Sequence, residues 1–160
     1  MVAVGAMIQH DPTGKILLLK RAETADYLPG IWEDMGGRIK QFEEPEEALR
    51  REVREETGLE IEILKPLVVF HDYRGERTAE NELLIITYWC TARSDQVILS
   101  EEHSAFQWIF PAEALELAEH PGVKRDIQAL IEEISRRALI NEIYTSLEIY
   151  IRCLSQGWPG

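Results

Sequence analysis

The chain opens on two short apolar runs, Val2 to Gln9 and Ile16 to Lys20, separated by Asp11, Pro12, Thr13 and Gly14. That order predicts strand, turn, strand, closed as a hairpin with a loop of a few residues. Ala22 to Gly30 reads as loop and ends on Pro29-Gly30; Ile31 and Trp32 then lead into the pair Gly36-Gly37. From Pro45 to Thr57 the pattern becomes helical. Proline and acids fill the first turn, Gly58 stands where it can cap the end, and Leu49 and Val53 give a narrow apolar stripe. Ile61 to His71 and Leu83 to Thr91 are strand-like again, with polar loop over Asp72 to Asn81 between them. The second of these runs is apolar on both faces, as in a buried sheet strand. Phe106 to Phe110 is a further short strand, and Pro111 opens a helix with Ala112, Leu115 and Leu117. Several strands, one helix in mid-sheet and helices at the end predict an α/β sandwich over a mixed sheet.

Two helical stripes follow. Val123, Ile127, Leu130, Ile131 and Ile134 form the first; Ile140, Ile143, Tyr144, Leu147, Ile151 and Leu154 form the second. At about 100° per residue the second is displaced by well over a quarter turn, which predicts a break or bend near Ala138 to Ile140. The chain is therefore divided into a domain over residues 1–137 and a C-terminal helical extension of that domain over 138–160. Either the extension folds back on the same core, or its apolar face, with two tyrosines, meets a second copy of this chain as a homodimer.

Charge narrows the function classes. Seventeen Lys and Arg residues against 29 Asp and Glu give a net charge of −12. So acidic a chain repels nucleic-acid backbones, and it would hold a phosphate compound through a divalent cation. Cys90 and Cys153 lie far apart in apolar surroundings without metal-ligand spacing, and read as reduced thiols of a cytoplasmic protein. The opening MVAVGAMIQHD lacks a basic leader and runs straight into a turn, which argues against a signal peptide. No stretch approaches the roughly 20 apolar residues of a membrane span.

The chemistry concentrates in Gly36 to Leu59, GGRIKQFEEPEEALRREVREETGL. Glu52 and Glu56 are four apart and share a helix face, with Glu55 beside them. Like charges so placed repel by about 0.2–0.5 kcal/mol per pair and raise each other's pKa. A hard divalent ion with oxygen ligands removes the conflict. Taken alone, the helix also fits a solvated, salt-bridged surface, because Glu46 with Arg50, Glu47 with Arg51, and Arg51 with Glu55 are favourable i,i+4 pairs.

The spacing decides against that surface reading. From Gly37 the segment runs glycine, five residues, Glu43, seven residues, Arg51-Glu52-Val53, one residue, Glu55-Glu56, one residue, Gly58-Leu59. It resembles the Nudix box at every fixed position, a match expected by chance on the order of once in a billion windows. The approach "KRAE…GIWEDMGG" and the later "EEHSAFQW" extend the likeness to a MutT-type member over roughly Val2 to Ile134. The resemblance implies a Nudix-type α/β/α sandwich that hydrolyses a nucleoside diphosphate linked to another moiety, with Mg²⁺ or Mn²⁺ on the box. A nucleoside triphosphate is the favoured substrate, including an oxidised one. ADP-ribose, a dinucleotide polyphosphate, or nucleotide sensing without turnover are the alternatives.

Carried onto this sequence, the resemblance makes Glu55 and Glu56 the main metal ligands, with Glu52 a further ligand or the base that orients water. The Gly36 carbonyl would complete the metal site from a glycine loop. Glu43 and Arg51 would pair to hold that loop, Gly37 would allow a close approach to the helix, and Gly58 would end the helix. Outside the box, Arg21 rather than Lys20 would meet substrate phosphates. Glu102, rather than Glu101, would supply a base or a ligand, and His103 beside it is a weaker candidate for a substrate contact. Trp32 would stack on a base or pack in the core. Relatives often carry proline at the position of Met35 and glycine at that of Phe42, so the loop before Glu43 has its own geometry here.

Overall fold

A computed structural model describes residues 1–155, with the side chains of residues 153–155 left aside. Cys153 and Leu154, both named above, therefore fall outside the described side chains. The strands are β1 (Val2–His10), β2 (Ile16–Arg21), β3 (Trp32–Glu33), β4 (Met35–Arg38), β5 (Glu62–Tyr73), β6 (Glu82–Ala92) and β7 (His103–Ile109). The helices are α1 (Pro45–Thr57), α2 (Pro111–Leu117) and α3 (Pro121–Ser155), with a 3₁₀ turn over Ala79–Asn81. The sheet is mixed: β1 runs parallel to β6 from Val2↔Leu84 to His10↔Ala92, while β5 pairs antiparallel with β6.

The predicted first hairpin holds only at its turn. β1 meets β2 at Gln9↔Ile16; elsewhere β1 pairs with β4 and β2 pairs with β3 and β7. The two strands splay because β4 slots in beside β1. The glycine pair thus lies in a strand rather than in the expected loop. β4 lies so close to β1 that a side chain on Gly36 would run into the Val4 carbonyl.

Alternation along the strands builds two cores, one on each face. Val4, Ala6 and Ile8 of β1, Leu17 and Leu19 of β2, and Tyr88 and Cys90 of β6 pack beneath Ala48, Leu49 and Val53 of α1. Met7, Ile16, Leu18 and Trp89 face the other way and meet Ala114 of α2 and Val123, Ile127 and Leu130 of α3. The result is the expected α/β/α sandwich. Helix α1 starts on Pro45 and ends on Gly58, whose φ of 69° is left-handed and whose N–H donates to the Arg54 carbonyl at 3.0 Å.

The C-terminal region differs from expectation. α3 runs unbroken through Ala138 to Ile140, and Ser135 to Ser155 contains neither glycine nor proline to stop it. Nor does its second half fold back on the core: every described residue from Ser135 to Arg152 is exposed. The displaced stripe is the consequence of an unbroken helix turning, as seen below.

Phe42 is also unusual. It takes φ 66° and is 96% exposed, so it packs against nothing that offsets the strain. Phe42→Gly should therefore raise stability by up to about 1 kcal/mol, and Tm by about 2–4 °C, after the entropy that glycine adds to the unfolded chain. A thermal melt checks this, and an unchanged or lower Tm would show that the turn is not strained.

Candidate active site

A cavity of about 740 Å³ opens where the C-terminal end of α1, the start of α3 and the ends of β2 and β5 converge. Glu52 and Glu56 of α1 line it, as do Gly36 and Gly37 of β4, Arg21 of β2, and Glu101 and Glu102 before β7. These groups come from four separate parts of the chain, and hydrogen bonds explain how they meet. The Ile98 N–H donates to the Thr57 carbonyl at 2.9 Å and the Ser100 N–H to the Glu56 carbonyl at 3.1 Å, tying the segment before β7 to the end of α1. The Ala22 N–H donates to the Glu102 carbonyl at 2.9 Å, fixing the same segment to the end of β2.

Glu56 is under strong electrostatic pressure. It is buried, and its Oε2 has no hydrogen-bond partner. Burial first, then the charges of Glu52, Glu102 and Glu33, push its pKa up to about 9, and Arg21 only partly opposes them. Glu102 is thus within electrostatic reach of the box.

The other box residues take different places. Arg51 Nε and Nη2 grip both oxygens of Glu43 at 2.7 and 2.9 Å, and Nη2 also donates to the Arg38 carbonyl at 3.2 Å. Arg51 Nη1 reaches Glu52 at 2.7 Å and Glu55 at 3.3 Å. The expected Glu43–Arg51 pair is therefore present, and it joins the turn before α1 to the helix. Arg50 does not turn to Glu46 as the i,i+4 pattern proposed; it donates to the Ile61 carbonyl at 2.6 Å. Glu55 is largely exposed beside Arg51, outside the cavity lining. Among the described residues no three His, Cys, Asp or Glu side chains are already drawn together as a metal-ligand cluster. Arg51 Nη1 holds one oxygen each of Glu52 and Glu55. Gly37 packs so tightly that a Cβ there would occupy the position of the Glu52 carboxyl. That close contact is the reason for glycine at this position.

Outside the box, Arg21 Nη1 donates to Glu33 Oε1 at 3.0 Å, while its buried Nε is unpartnered. His103 is buried with its Nε2 3.2 Å from the same Glu33 oxygen, so it orients Glu33 instead of facing the cavity. Trp32 packs against the core beneath α2 and α3, on the opposite side of β3 from Glu33. Of its two readings the structure gives core packing, because strand alternation turns Trp32 away from the cavity.

Two further acids belong to the cavity: the position of Asp34, at the approach to the glycines, already suggests a hydrogen bond to a base, whereas Asp126 escaped the sequence reading. Asp34 lines the cavity, and Asp126 of α3 is buried at its edge, hydrogen-bonded through Oδ2 to Thr87 Oγ1 at 2.9 Å. Asp34 Oδ2 and Thr87 Oγ1 both lie over Gly5 of β1. Burial, Asp126 and Glu33 hold the Asp34 carboxyl well above the usual carboxylate range, and burial raises Asp126 as well. An isolated Asp in a helix gives no local pattern, and only the sheet brings Asp126 to Asp34.

An α/β/α sandwich with a glycine strand laid against an acidic helix defines the class. Residues 1–130 match the NUDIX domain, and the chain belongs to the Nudix family. Within it the chain is MutT-like. It is 33% identical over 135 residues to the CTP pyrophosphohydrolase of Escherichia coli K12, covering 84% of this chain and 92% of that protein. It is 32% identical over 112 residues to nucleoside triphosphatase NudI of Escherichia coli O17:K52:H18, covering 66% and 78%. The MutT protein of Methanosarcina mazei Go1 superposes with a TM-score of 0.68 at 27% identity, over 86% of this chain and 94% of that one.

The Arg51 grip depresses the Glu43 pKa from 4.5 to about 2. A depressed carboxylate stabilises the fold above its unfolded pKa and loses that contribution as pH falls through the folded one. Glu43→Gln should lower Tm near neutral pH, and the gap from the native chain should narrow below about pH 4.5 and close near pH 2. Melts across that range check it; a gap constant with pH would mean the pair is not ionic.

Proposed function

We propose that the protein is a divalent-metal-dependent pyrophosphohydrolase of nucleoside triphosphates. Water adds to a phosphorus of the triphosphate, the anhydride bond breaks, and a nucleoside monophosphate and pyrophosphate leave. The observation that carries this reading is Glu56, a buried carboxyl with an unpartnered oxygen beside Glu52 and Glu102 in a cavity of nucleotide size. Such crowding is unfavourable for folding and is relieved by a hard cation. The names of the relatives, a CTP pyrophosphohydrolase and a nucleoside triphosphatase, support the same substrate class.

Mg²⁺ or Mn²⁺ would be held by Glu52, Glu55, Glu56 and the Gly36 carbonyl, with Glu55 leaving Arg51 to join them. When bound, the ion neutralises the polyphosphate and acidifies water. The chain's own residues do the rest. Glu102, or Glu52, accepts the proton of the attacking water, and Arg21 contacts the phosphates. At the other end of the cavity Asp34, Thr87 and Asp126 meet the nucleobase. Burial raises both carboxyls and so favours the protonated form, which can donate as well as accept a hydrogen bond to a base edge. Cys90, a buried free thiol whose pKa burial pushes up to about 12, suits the reducing conditions of the cytoplasm.

Glu56→Gln should lower kcat for pyrophosphate release by about 10²-fold or more while leaving the melting curve cooperative. The assay is a panel of nucleoside triphosphates, an 8-oxo-guanine nucleotide, ADP-ribose and dinucleotide polyphosphates, run with Mg²⁺. Turnover unchanged in the variant refutes the assigned site, and binding without turnover by the native chain would make it a sensor. Metal binding must also displace the Glu56 proton. Apparent Mn²⁺ affinity, read by calorimetry, should climb with pH up to about 9 and lose that slope in Glu56→Gln.

A further inference from the structure

The second half of α3 leaves the body of the protein with its apolar face uncovered. Arg137 still stacks on Trp89 of β6, at 4.2 Å from the ring centroid, but beyond it all described residues are exposed. Leu139, Ile140, Ile143, Tyr144, Leu147, Tyr150 and Ile151 are each between 43% and 63% exposed. On an unbroken helix their common direction lies about 140° around from the stripe of Val123, Ile127 and Leu130 that covers the sheet. The face therefore points away from the chain's own core, which cannot cover it.

We propose that this face pairs with the same face of a second copy of this chain, making a two-fold dimer through the ends of α3. Three observations favour that occupant. Ile140, Tyr144, Leu147 and Ile151 recur at spacings of four, three and four, the seam of a coiled coil, and such a seam fits its own copy around a two-fold axis. Leu139, Ile143 and Tyr150 widen the seam on one side. Together the seven side chains would bury about 600 Å² per chain, or about 1,200 Å² for the pair, the threshold of a stable specific interface. A lipid surface fits worse. Over residues 138–152 the helix carries Glu142 and Glu148 against a single Arg152, where an interfacial helix needs a basic face. No helix among the described residues is long and apolar enough to cross a membrane. Ile149 is the one large apolar side chain on the polar side.

Sedimentation velocity of the full chain at about 1–100 µM and physiological salt tests the pairing. The native chain should sediment as a dimer of twice 18.4 kDa. Leu147→Glu and, separately, Ile143→Lys should sediment as monomers with an unchanged body, judged by an unaltered near-ultraviolet circular dichroism spectrum. Flotation with vesicles of phosphatidylcholine, with and without phosphatidylserine, should leave the native chain unbound. A native chain that stays monomeric at 100 µM, a dimer that survives both substitutions, or flotation with either vesicle would overturn the proposal.

Discussion

Burial of the Glu56 carboxyl is the constraint around which the site is arranged. A desolvated carboxylate loses its hydration, and Glu52, Glu102 and Glu33 add repulsion that Arg21 only partly offsets. The side chain responds by keeping its proton to about pH 9, with one oxygen still unpartnered. Acids arriving from α1, β3 and the segment before β7 therefore share one deficit of positive charge. In the proposed function a cation entering the cavity would relieve all of them together.

Arg51 is the counterweight that lets the helix fold around so many acids. One guanidinium binds Glu43, Glu52 and Glu55, and its reach stops short of Glu56. The division is useful physically. Glu43 and Arg51 fix the turn before α1 against β4, and Gly37 brings the backbone up to the Glu52 carboxyl. Glu56 is left without an ionic partner on its own helix. Stability and reactivity thus rest on neighbouring residues of one helix with opposite requirements, a satisfied pair and an unsatisfied acid.

The parts of this arrangement that were legible in the sequence are those with local signals. Pro45 and Gly58 bound α1, and the fixed spacing from Gly37 to Leu59 marks the box. The positions of β1, β2, β5, β6 and β7 were legible to within a few residues from their apolar runs, whereas β3 and β4 were not. What escaped depends on tertiary placement. The strand character of Gly36-Gly37 comes from pairing with β1, for which two glycines have no propensity of their own. Trp32 faces the core because of which side of β3 it occupies. Asp126 meets Asp34 only because α3 and the turn from β3 into β4 flank the same strand ends. In α3 the displaced stripe was visible, but its cause was misread: without a breaker the helix continues, and the apolar face rotates outward.

In the proposed function one chemical group serves two ends of a nucleotide. At the box end the carboxyls crowd one another, and with a cation present they act as anions. At the far end burial holds the Asp34 and Asp126 pKa values above the usual carboxylate range, which favours the protonated form. Glu33 influences both ends, since it raises Glu56 and Asp34 alike while Arg21 and His103 hold it in place. The difference between the two ends lies in which side chains each acid meets and how much water reaches it. The sum of charge, −12 over the chain, describes neither end.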